Sequence, residues 1–418
     1  MHTLYNIVLC LINVVFRWAG ARRQAPTGKF GQFIQEQRNL LPKVAEAMAQ
    51  RPDSHAVVWI HASSYGEYNV VRPVIKALNE SGRWHIVLTF FSPTGINQLK
   101  HRHEYIDEVF ALPLDTPSNA SQFLDILNPA KAIFVISEFW VNYLTELQAR
   151  QIPTYLISAN ITERAPFFHF YGGLFRKALQ AFTHIFVLNE SSRRLLEQVG
   201  YTRVTVSGDP LFDSVLTRAA KDYHNTIIEN FASQGDVFIA GSVHNDQDLQ
   251  LVTSLVNRHP EIRFLIVPHE IGEQVLSCIV AGIAGRSRLF LECTEETDFS
   301  DTQVLVVDFV GALAYLYRFA RWAYVGGGFT PYLHSVIEAT AYGLPVAFGP
   351  KVQRKLAAQE LMANGVGHSV ATAEELEAWF SELLQDETAL ASIREKALAY
   401  MERHRNSTET VVNKLLEE

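Results

Sequence analysis

The sequence predicts an α/β protein with two doubly wound parallel sheets in series, and two features of the chain carry this prediction. Short runs rich in β-branched and aromatic residues alternate with longer amphipathic stretches, as strands alternate with crossover helices. The alternation stops near residues 215–235 and then starts again, which divides the 418 residues into two domains. Strands connected in this way pair in parallel, so their carboxyl ends meet at one edge of each sheet.

The first series of elements begins at Val57 and ends at Val206. Its apolar runs are long enough for buried strands but too short for helices. The predicted strands are 57–60, 86–91, 108–112, 132–136, 154–157, 184–187 and 203–206, and the predicted helices include 68–78, 118–127, 142–150 and 190–199.

The second series begins at Val237, after the break at Gly208-Asp209-Pro210 and a polar segment, 223–236, that we predict to be irregular. Two such domains suit a nucleotide-activated donor in one and an acceptor in the other, with a cleft between their facing sheet edges. The chain closes with helical segments from 373 to 418. The predicted strands are 237–239, 264–267, 288–291, 304–307, 322–325 and 345–348, and the predicted helices include 246–258, 310–317, 335–342 and 355–364.

The composition excludes several classes of protein. Hydrophobic residues make up 48% of the chain and charged residues 19%, as in a globular protein. The balance of 36 basic against 44 acidic residues gives a net charge of −8 without any basic block, which argues against a nucleic-acid partner. Cys10, Cys278 and Cys293 have no metal-ligand spacing, and their odd number argues against a disulfide scaffold.

An apolar run at residues 4–18 precedes the first domain. It is shorter than the roughly 20 apolar residues of a confident membrane span. Its basic residues, Arg17, Arg22 and Arg23, follow the run, whereas a signal peptide carries them before it. We therefore predict a membrane-associating helix with its arginines on anionic lipid. The alternative is a helix that packs on its own domain.

Glu67 is the predicted catalytic residue. It follows the strand 57–60 and the small residues of His61-Ala62-Ser63-Ser64-Tyr65-Gly66, just before the predicted helix 68–78. A carboxylate is thereby placed at the carboxyl end of a strand, where the ligands of open α/β sheets bind. The alternative role is structural, because a glutamate in the first turn of a helix also complements the helix dipole.

At the same edge of the first sheet, Glu138 follows the strand 132–136, next to Phe139 and Trp140. A carboxylate with aromatic neighbours suits the binding of sugar hydroxyls, and a helix cap with core aromatics is the alternative. Arg164 lies near the aromatic cluster 167–171, which suits contact with acyl chains and phosphate unless the cluster is core. The sequence contains no Ser-His-Asp arrangement, CxxC pair or HExxH helix, so neither a metal ion nor a covalent nucleophile is predicted.

Polar residues and glycines follow four strands of the second series. Gly326-Gly327-Gly328 follows 322–325, and glycines there let backbone N–H groups approach a phosphate, although a plain tight turn is the alternative. The spacing matches neither GxGxxG nor a P-loop, which argues against NAD and ATP. His334 and Glu338 are four apart at the start of a predicted helix, where they suit a phosphate and a ribose diol, or a cap and a surface position. The other polar residues at this edge are Ser242, His244, Pro268, His269, Glu270 and Asp308.

These motifs together resemble the 3-deoxy-D-manno-octulosonic acid (Kdo) transferases of lipopolysaccharide synthesis, over nearly the whole chain. Their order and spacing are specific, although no single motif is. The forms of 90–93 and 165–168 are most similar to the Bacteroidetes branch of the family. The matching segments are His61 to Glu67, Phe91 to Gly95, Leu112 to Pro117, Glu138 to Asn142, Gly208 to Asp213, Gly241 to His244, Gly326 to Gly328, His334 with Glu338, and Gly349-Pro350.

The resemblance implies a GT-B fold, with two Rossmann-like domains that face an interdomain cleft, and an inverting, metal-independent glycosyltransferase without a cofactor. It implies CMP-Kdo as the donor and a lipid A precursor, lipid IVA, as the acceptor, at the cytoplasmic face of the inner membrane. Glu67 matches the general base of the family. The implied acceptor-binding residues are Ser64, Gly66, Arg72, Glu138 and Arg164, and the implied donor-binding residues are Ser242, His244, Pro268, His269, Glu270, Asp308, Gly311, Gly326, Gly327, Gly328, His334, Ser335 and Glu338.

The predicted domains are a membrane-associating helix in 1–25, an acceptor domain in 26–215, a donor domain in 232–395, and C-terminal helices in 396–418 that pack back toward the first domain. The chain departs from the family at four places: Gly311-Ala312 replaces Gly-Glu, Ser335 replaces Asn, 158–160 (Ser-Ala-Asn) replaces Asn-Ala-Arg, and Lys355 replaces Phe. These departures leave two alternatives. One is another GT-B enzyme, a UDP-sugar glycosyltransferase with a lipid-linked acceptor or an epimerase, and the other is a non-catalytic, membrane-associated sugar-nucleotide-binding protein.

Overall fold

The computed structural model describes residues 2–20, 28–51, 55–99 and 104–417, which form two compact α/β units. Unit one is Met1–Asp213 with Asn406–Glu418, and unit two is Ser214–Arg405. The chain therefore returns to unit one at residue 406, later than the predicted position 396. Two backbone N–H groups at this return, those of Asn406 and Thr408, donate to the carboxylate of Asp213 at 2.8 and 2.6 Å.

Unit one contains all seven strands predicted for it, with ends displaced by at most two residues. The strands are β1 (Ala56–Ala62), β2 (Trp84–Phe90), β3 (Glu108–Ala111), β4 (Lys131–Val135), β5 (Thr154–Ala159), β6 (His184–Val187) and β7 (Val204–Val206). They form one parallel sheet in the order β3-β2-β1-β4-β5-β6-β7. Its core includes Trp59, whose ring meets Phe123 and Phe134 edge-on with centroids 5.3 Å apart in both pairs.

Helices surround this sheet because each crossover between parallel strands needs one. They are α1 (His2–Gly20), α2 (Gly28–Gln37), α3 (Leu40–Ala49), α4 (Tyr65–Glu80), α5 (Pro93–Leu99), α6 (Pro117–Leu127), α7 (Val141–Ala149), α8 (Gly173–Leu179) and α9 (Glu190–Gln198), with a 3₁₀ turn at Pro166–Phe168. Helix α10 (Leu211–Ala219) then carries the chain from unit one into unit two.

Unit two has its own parallel sheet, and one of its strands, at 367–369, was not predicted. The strands are β8 (Val237–Val243), β9 (Arg263–Pro268), β10 (Ser287–Leu289), β11 (Val304–Val306), β12 (Trp322–Val325), β13 (Val346–Phe348) and β14 (Gly367–Ser369). Their order is β10-β11-β9-β8-β12-β13-β14. Both sheets are of the open parallel type, whose ligand-bearing edge is the carboxyl edge.

The helices of unit two differ from the predictions at three places. The segment 223–236, predicted to be irregular, contains a helix that Asn225 caps by accepting the N–H of Ile228 at 3.1 Å. The predicted helices 310–317 and 335–342 shrink to four residues each, because turns take up their flanks. The helices are α11 (Thr226–Ala232), α12 (Asp246–Arg258), α13 (Glu273–Ala281), α14 (Leu313–Leu316), α15 (Ile337–Thr340), α16 (Leu356–Ala363), α17 (Ala373–Gln385) and α18 (Glu387–Arg403), with 3₁₀ turns at Phe290–Glu292 and Tyr317–Phe319, and α19 (Ser407–Glu417) follows in unit one.

Helix α1 packs against the rest of unit one along one side and exposes apolar side chains along another. Tyr5 donates its hydroxyl hydrogen to Asp115 at 2.6 Å, and Phe16 packs on Phe33 with centroids 5.4 Å apart. In the described part of the chain, no helix combines the length and the apolar character needed to cross a bilayer. Arg22, Arg23 and the side chain of Arg17 lie outside the described residues. Six apolar side chains of α1, Leu4, Ile7, Val8, Leu11, Val14 and Val15, are between 47% and 64% exposed.

Candidate active site

Glu67 lies in the first turn of α4. This helix begins at Tyr65, three residues before its predicted start at residue 68. Ser64 is the N-cap, and its hydroxyl accepts the backbone N–H of Glu67 at 3.4 Å. The carboxylate of Glu67 accepts the backbone N–H of Ser63. The pair resembles a capping box in which the carboxylate reaches the residue before the N-cap, so Glu67 also has the structural role that is the alternative to catalysis.

Glu138 follows β4 and lies in a polar cluster at the same edge of the sheet. Its carboxylate accepts the indole N–H of Trp140 at 2.5 Å and lies 3.6 Å from Nε2 of His61. The other ring nitrogen of His61 is 2.9 Å from the hydroxyl of Thr89. Ile136 precedes this loop with φ +67°, a left-handed conformation that β-branched residues rarely adopt. Such strain collects at functional sites, where the surrounding structure maintains it.

The pKa values of Glu67 and Glu138, the two glutamates at this edge of the sheet, are shifted in opposite directions. Burial, and to a lesser extent the negative charge of Glu138, raise the pKa of Glu67 to about 7, against the lowering effect of the Ser63 and Ser64 backbone. Burial acts on Glu138 in the same direction, but the ring of His61 and hydrogen bonds from Ser63 and Trp140 overcome it and lower the pKa of Glu138. One carboxyl is thus poised to exchange a proton near neutral pH while its neighbour stays ionised.

The remaining predicted acceptor residues differ in their surroundings. Gly66 is exposed in the first turn of α4, and a Cβ there would meet only Ser64 Oγ, at 3.7 Å, so packing within the unit does not require glycine. Arg72 reaches Glu104 at 3.9 Å, and Arg164 is exposed in the turn after β5. Among the residues that the structure describes, no hydrogen bond or ion pair joins either arginine to Glu67.

In unit two, the carboxyl edge of the sheet is organised by a residue that the sequence reasoning missed. Asp248 is fully buried, and its carboxylate accepts the backbone N–H groups of His244 at 3.1 Å and Gly327 at 2.8 Å, and the hydroxyl of Tyr324 at 2.7 Å. It therefore ties β8, α12 and the loop after β12 together. The spacing Asn245-x-x-Asp248 is a helix-start pattern, but it gives no sign of these distant partners.

The three glycines after β12 are required mainly by packing inside unit two. A Cβ on Gly326 would overlap the carbonyl oxygen of Ser242, and one on Gly328 would come within 2.5 Å of the Gly349 nitrogen. The N–H of Gly326 donates to Gly241 at 2.9 Å, and that of Gly327 is held by Asp248. Within the described residues, only the N–H groups of Gly328 and Phe329 lack an acceptor there, so these two are the backbone donors left for a phosphate, and binding of the donor by this segment stays a prediction.

Three histidines lie close together in unit two, each in a segment that follows a different strand. His244, His269 and His334 have ring centroids 4.7, 5.6 and 4.3 Å apart in the pairs 244–269, 244–334 and 269–334. Burial and then the two neighbouring rings lower the pKa of His334 to about 4, and burial and His244 lower that of His269. His244 and His269 directly follow β8 and β9, whereas His334 lies in the loop between β12 and α15.

His334 and Glu338 do not share a helical face, because α15 begins only at Ile337. Glu338 lies within the helix, with Arg218 at 3.4 Å from its carboxylate. Burial raises the pKa of Glu338, and Arg218 opposes that shift. Ser335 is half-buried in the loop that precedes this short helix.

The other predicted donor residues occupy the same edge. Asp308, two residues after the end of β11, accepts the N–H of Leu291 at 2.9 Å and so holds the segment after β10. Pro268 ends β9, and Glu270 is exposed two residues later. Gly311 has φ +98°, which favours glycine. Ser242 itself has φ +54° at a bulge in β8, the counterpart of the strained backbone at Ile136.

Residues 34–214 match the sequence model of the family described as 3-deoxy-D-manno-octulosonic-acid transferase (kdotransferase). The 3-deoxy-D-manno-octulosonic acid transferase of Aquifex aeolicus is 27% identical, over 78% of this chain and 86% of that protein. The enzyme of the same name from Bordetella pertussis is 25% identical, over 97% of this chain and 96% of that protein.

Solved structures with a similar fold include UDP-N-acetylglucosamine 2-epimerases. That of Neisseria meningitidis, bound to UDP-GlcNAc, has a TM-score of 0.60 and 15% identity, and covers 87% of this chain and all of its own. The putative epimerase of Listeria monocytogenes has a TM-score of 0.59 and 14% identity, over 86% of this chain and 95% of its own. At these identities the likeness concerns the fold alone, and it agrees with the predicted GT-B class.

Proposed function

Because this chain belongs to the Kdo transferase family of glycosyltransferases and transfers Kdo in lipopolysaccharide synthesis, we propose that its donor is CMP-Kdo and its acceptor a lipid A precursor such as lipid IVA. We further propose that transfer inverts the anomeric centre, needs no metal ion, and uses Glu67 as the general base. The observation that carries the catalytic assignment is the pKa of Glu67, about 7, in the segment that matches the general base of the family.

In the proposed step, a primary hydroxyl of the glucosamine disaccharide attacks the anomeric carbon of Kdo. The new carbon–oxygen bond forms as the bond to the CMP phosphate breaks, and Glu67 takes the hydroxyl proton. An alkyl hydroxyl is far less acidic than a carboxylic acid, so this proton leaves during attack and not before it. A general base contributes roughly 10²- to 10⁴-fold in rate, and most when its pKa lies near the working pH.

The proposed donor contacts come from the edge of unit two. The N–H groups of Gly328 and Phe329 suit the phosphate of CMP, and the imidazole N–H groups of the histidine cluster can donate hydrogen bonds to it. Glu338, beside Arg218, suits a ribose diol. Lys355, which replaces the Phe of the family, adds a half-buried cation near His334.

We propose that the protein works at the cytoplasmic face of the inner membrane and binds that surface through α1. The support is the exposed apolar stripe of α1, since a stripe of this kind lies in the interface of a bilayer. The contact between Tyr5 and Asp115 fixes the helix to unit one at the same time.

The test is transfer from CMP-Kdo to tetraacylated lipid A precursor by the variant Glu67→Gln, next to the exposed control Glu80→Gln on the same helix. We expect Glu67→Gln to bind CMP as the unsubstituted protein does and to lose transfer by about 10²-fold or more. Turnover near normal would remove Glu67 from this role. Stabilisation by UDP and not by CMP in a thermal-shift assay would instead favour a UDP-sugar enzyme.

A further inference from the structure

The histidine cluster of unit two has the composition of a metal site. One ligand nitrogen from each of His244, His269 and His334 can be chosen so that the three lie within 4.8 Å of one another. Tetrahedral zinc holds imidazole nitrogens at about 2.0–2.1 Å, which places two of them roughly 3.3 Å apart. The rings of His244 and His269 are exposed, which leaves them room to rotate toward a common ion.

A second observation points to a ligand in the same place. Nε2 of His334 is buried without a hydrogen-bond partner among the described residues. A buried polar atom of this kind is costly unless something satisfies it.

We propose that His244, His269 and His334 form a binding site for a divalent transition metal of the zinc class, with a water molecule or an anion in the fourth position. Three imidazoles and one open position make up a well-known zinc coordination set. The sequence predicts no metal site because its three ligands follow three different strands, far apart in the chain. Since the proposed function assigns the same histidines to CMP, and needs no metal, a bound metal competes with the donor and inhibits transfer.

The positive charge of Lys355 acts on His334 and opposes the binding of a cation there. The lysine therefore limits metal affinity, and its removal provides a variant in which affinity rises. An anion site would respond in the opposite way, because the same lysine attracts phosphate.

The experiment is titration of the untagged full-length protein with Co²⁺, followed by its visible d–d absorption, with Zn²⁺ as the competitor. We expect one equivalent to bind, and His269→Gln to weaken binding tenfold or more. The matched control is His224→Gln, since His224 is a strongly exposed histidine of the same unit and should leave binding unchanged. Lys355→Met should tighten Co²⁺ binding.

Equal Co²⁺ affinity in the unsubstituted protein and His269→Gln would overturn the site. Because His269 is exposed, loss of folding is not expected, and a metal-free melting curve checks this directly. The competition with the donor is tested separately by adding Zn²⁺ to the transfer assay. Absence of transfer without any metal refutes the proposed function and leaves the Co²⁺ titration intact as a test of the site.

Discussion

The two sheet edges of this protein share a backbone device but differ in their electrostatics. Each has a non-glycine residue in the left-handed region at the carboxyl end of a strand, Ile136 in unit one and Ser242 in unit two. Unit one then places two carboxyl groups there, whereas unit two places three imidazoles. Burial favours the neutral form at both edges, so it raises the pKa of Glu67 and lowers that of His334.

The same physical effect therefore prepares the two edges for different tasks. A carboxyl with a pKa near 7 can accept a proton during a reaction, while imidazoles that stay neutral can donate hydrogen bonds or bind a metal ion. The two edges differ in the neighbours of their titratable groups. His61 and Trp140 keep Glu138 ionised, whereas the charges of His244, His269 and Lys355 act on His334.

The largest expected effect is on the pH dependence of transfer. The active form of Glu67 is the carboxylate, so kcat/KM should fall about tenfold per unit as pH drops below about 7 and level off above it. Glu138→Gln removes the negative neighbour and should move this limb to lower pH, whereas the exposed Glu80→Gln should not. A limb at the same pH in Glu138→Gln would show that the two carboxyl groups are not coupled.

A smaller effect, on stability, should distinguish Asp248 of unit two from a neighbouring exposed acid. Asp248→Ala leaves two backbone N–H groups and the Tyr324 hydroxyl without their acceptor, which costs about 3 kcal/mol. For a unit of this size, that lowers the melting temperature by roughly 6–12 °C. The control is Asp246→Ala, an exposed acid in the same helical turn, whose loss costs at most about 1 kcal/mol. Melting curves with equal shifts for both would deny Asp248 this role.

The sequence predicted the sheets better than the site. The thirteen strands predicted from β-branched runs are all found, because such runs are buried on both faces in parallel sheets. The strand 367–369 is Gly-His-Ser, which has no β-branched or apolar run to give this signal. Glu67 could be placed at a strand end from local pattern alone, but its link to Glu138 depends on the pairing of β1 with β4, which is not local.

The carboxyl edge of the sheet of unit two shows more clearly what a local sequence pattern cannot predict. The glycines at 326–328 suggested a phosphate loop, yet two of their N–H groups are taken by Gly241 and Asp248, residues about 80 positions away. A local motif cannot reveal which backbone donors are already bonded. The same reason applies to α15: the N–H of His334 donates to the distant carbonyl oxygen of Gly326 at 3.2 Å, and the helix begins only at Ile337.

The smallest predicted effect compares two strained serines at bulges, Ser158 in β5 and Ser242 in β8. Ser158 has φ +56° and a buried hydroxyl, and no hydrogen bond from a described residue compensates for the burial of that hydroxyl. Ser158→Gly relieves both costs and should raise stability by about 1 kcal/mol in chemical denaturation. Ser158→Ala removes the hydroxyl but keeps the strained φ, and should gain less stability.

Ser242→Gly relieves similar strain but removes a hydroxyl assigned to the donor, so its CMP affinity should fall while that of Ser158→Gly stays unchanged. Equal CMP affinity in both glycine variants would mean that the bulge in β8 serves the fold and not the ligand.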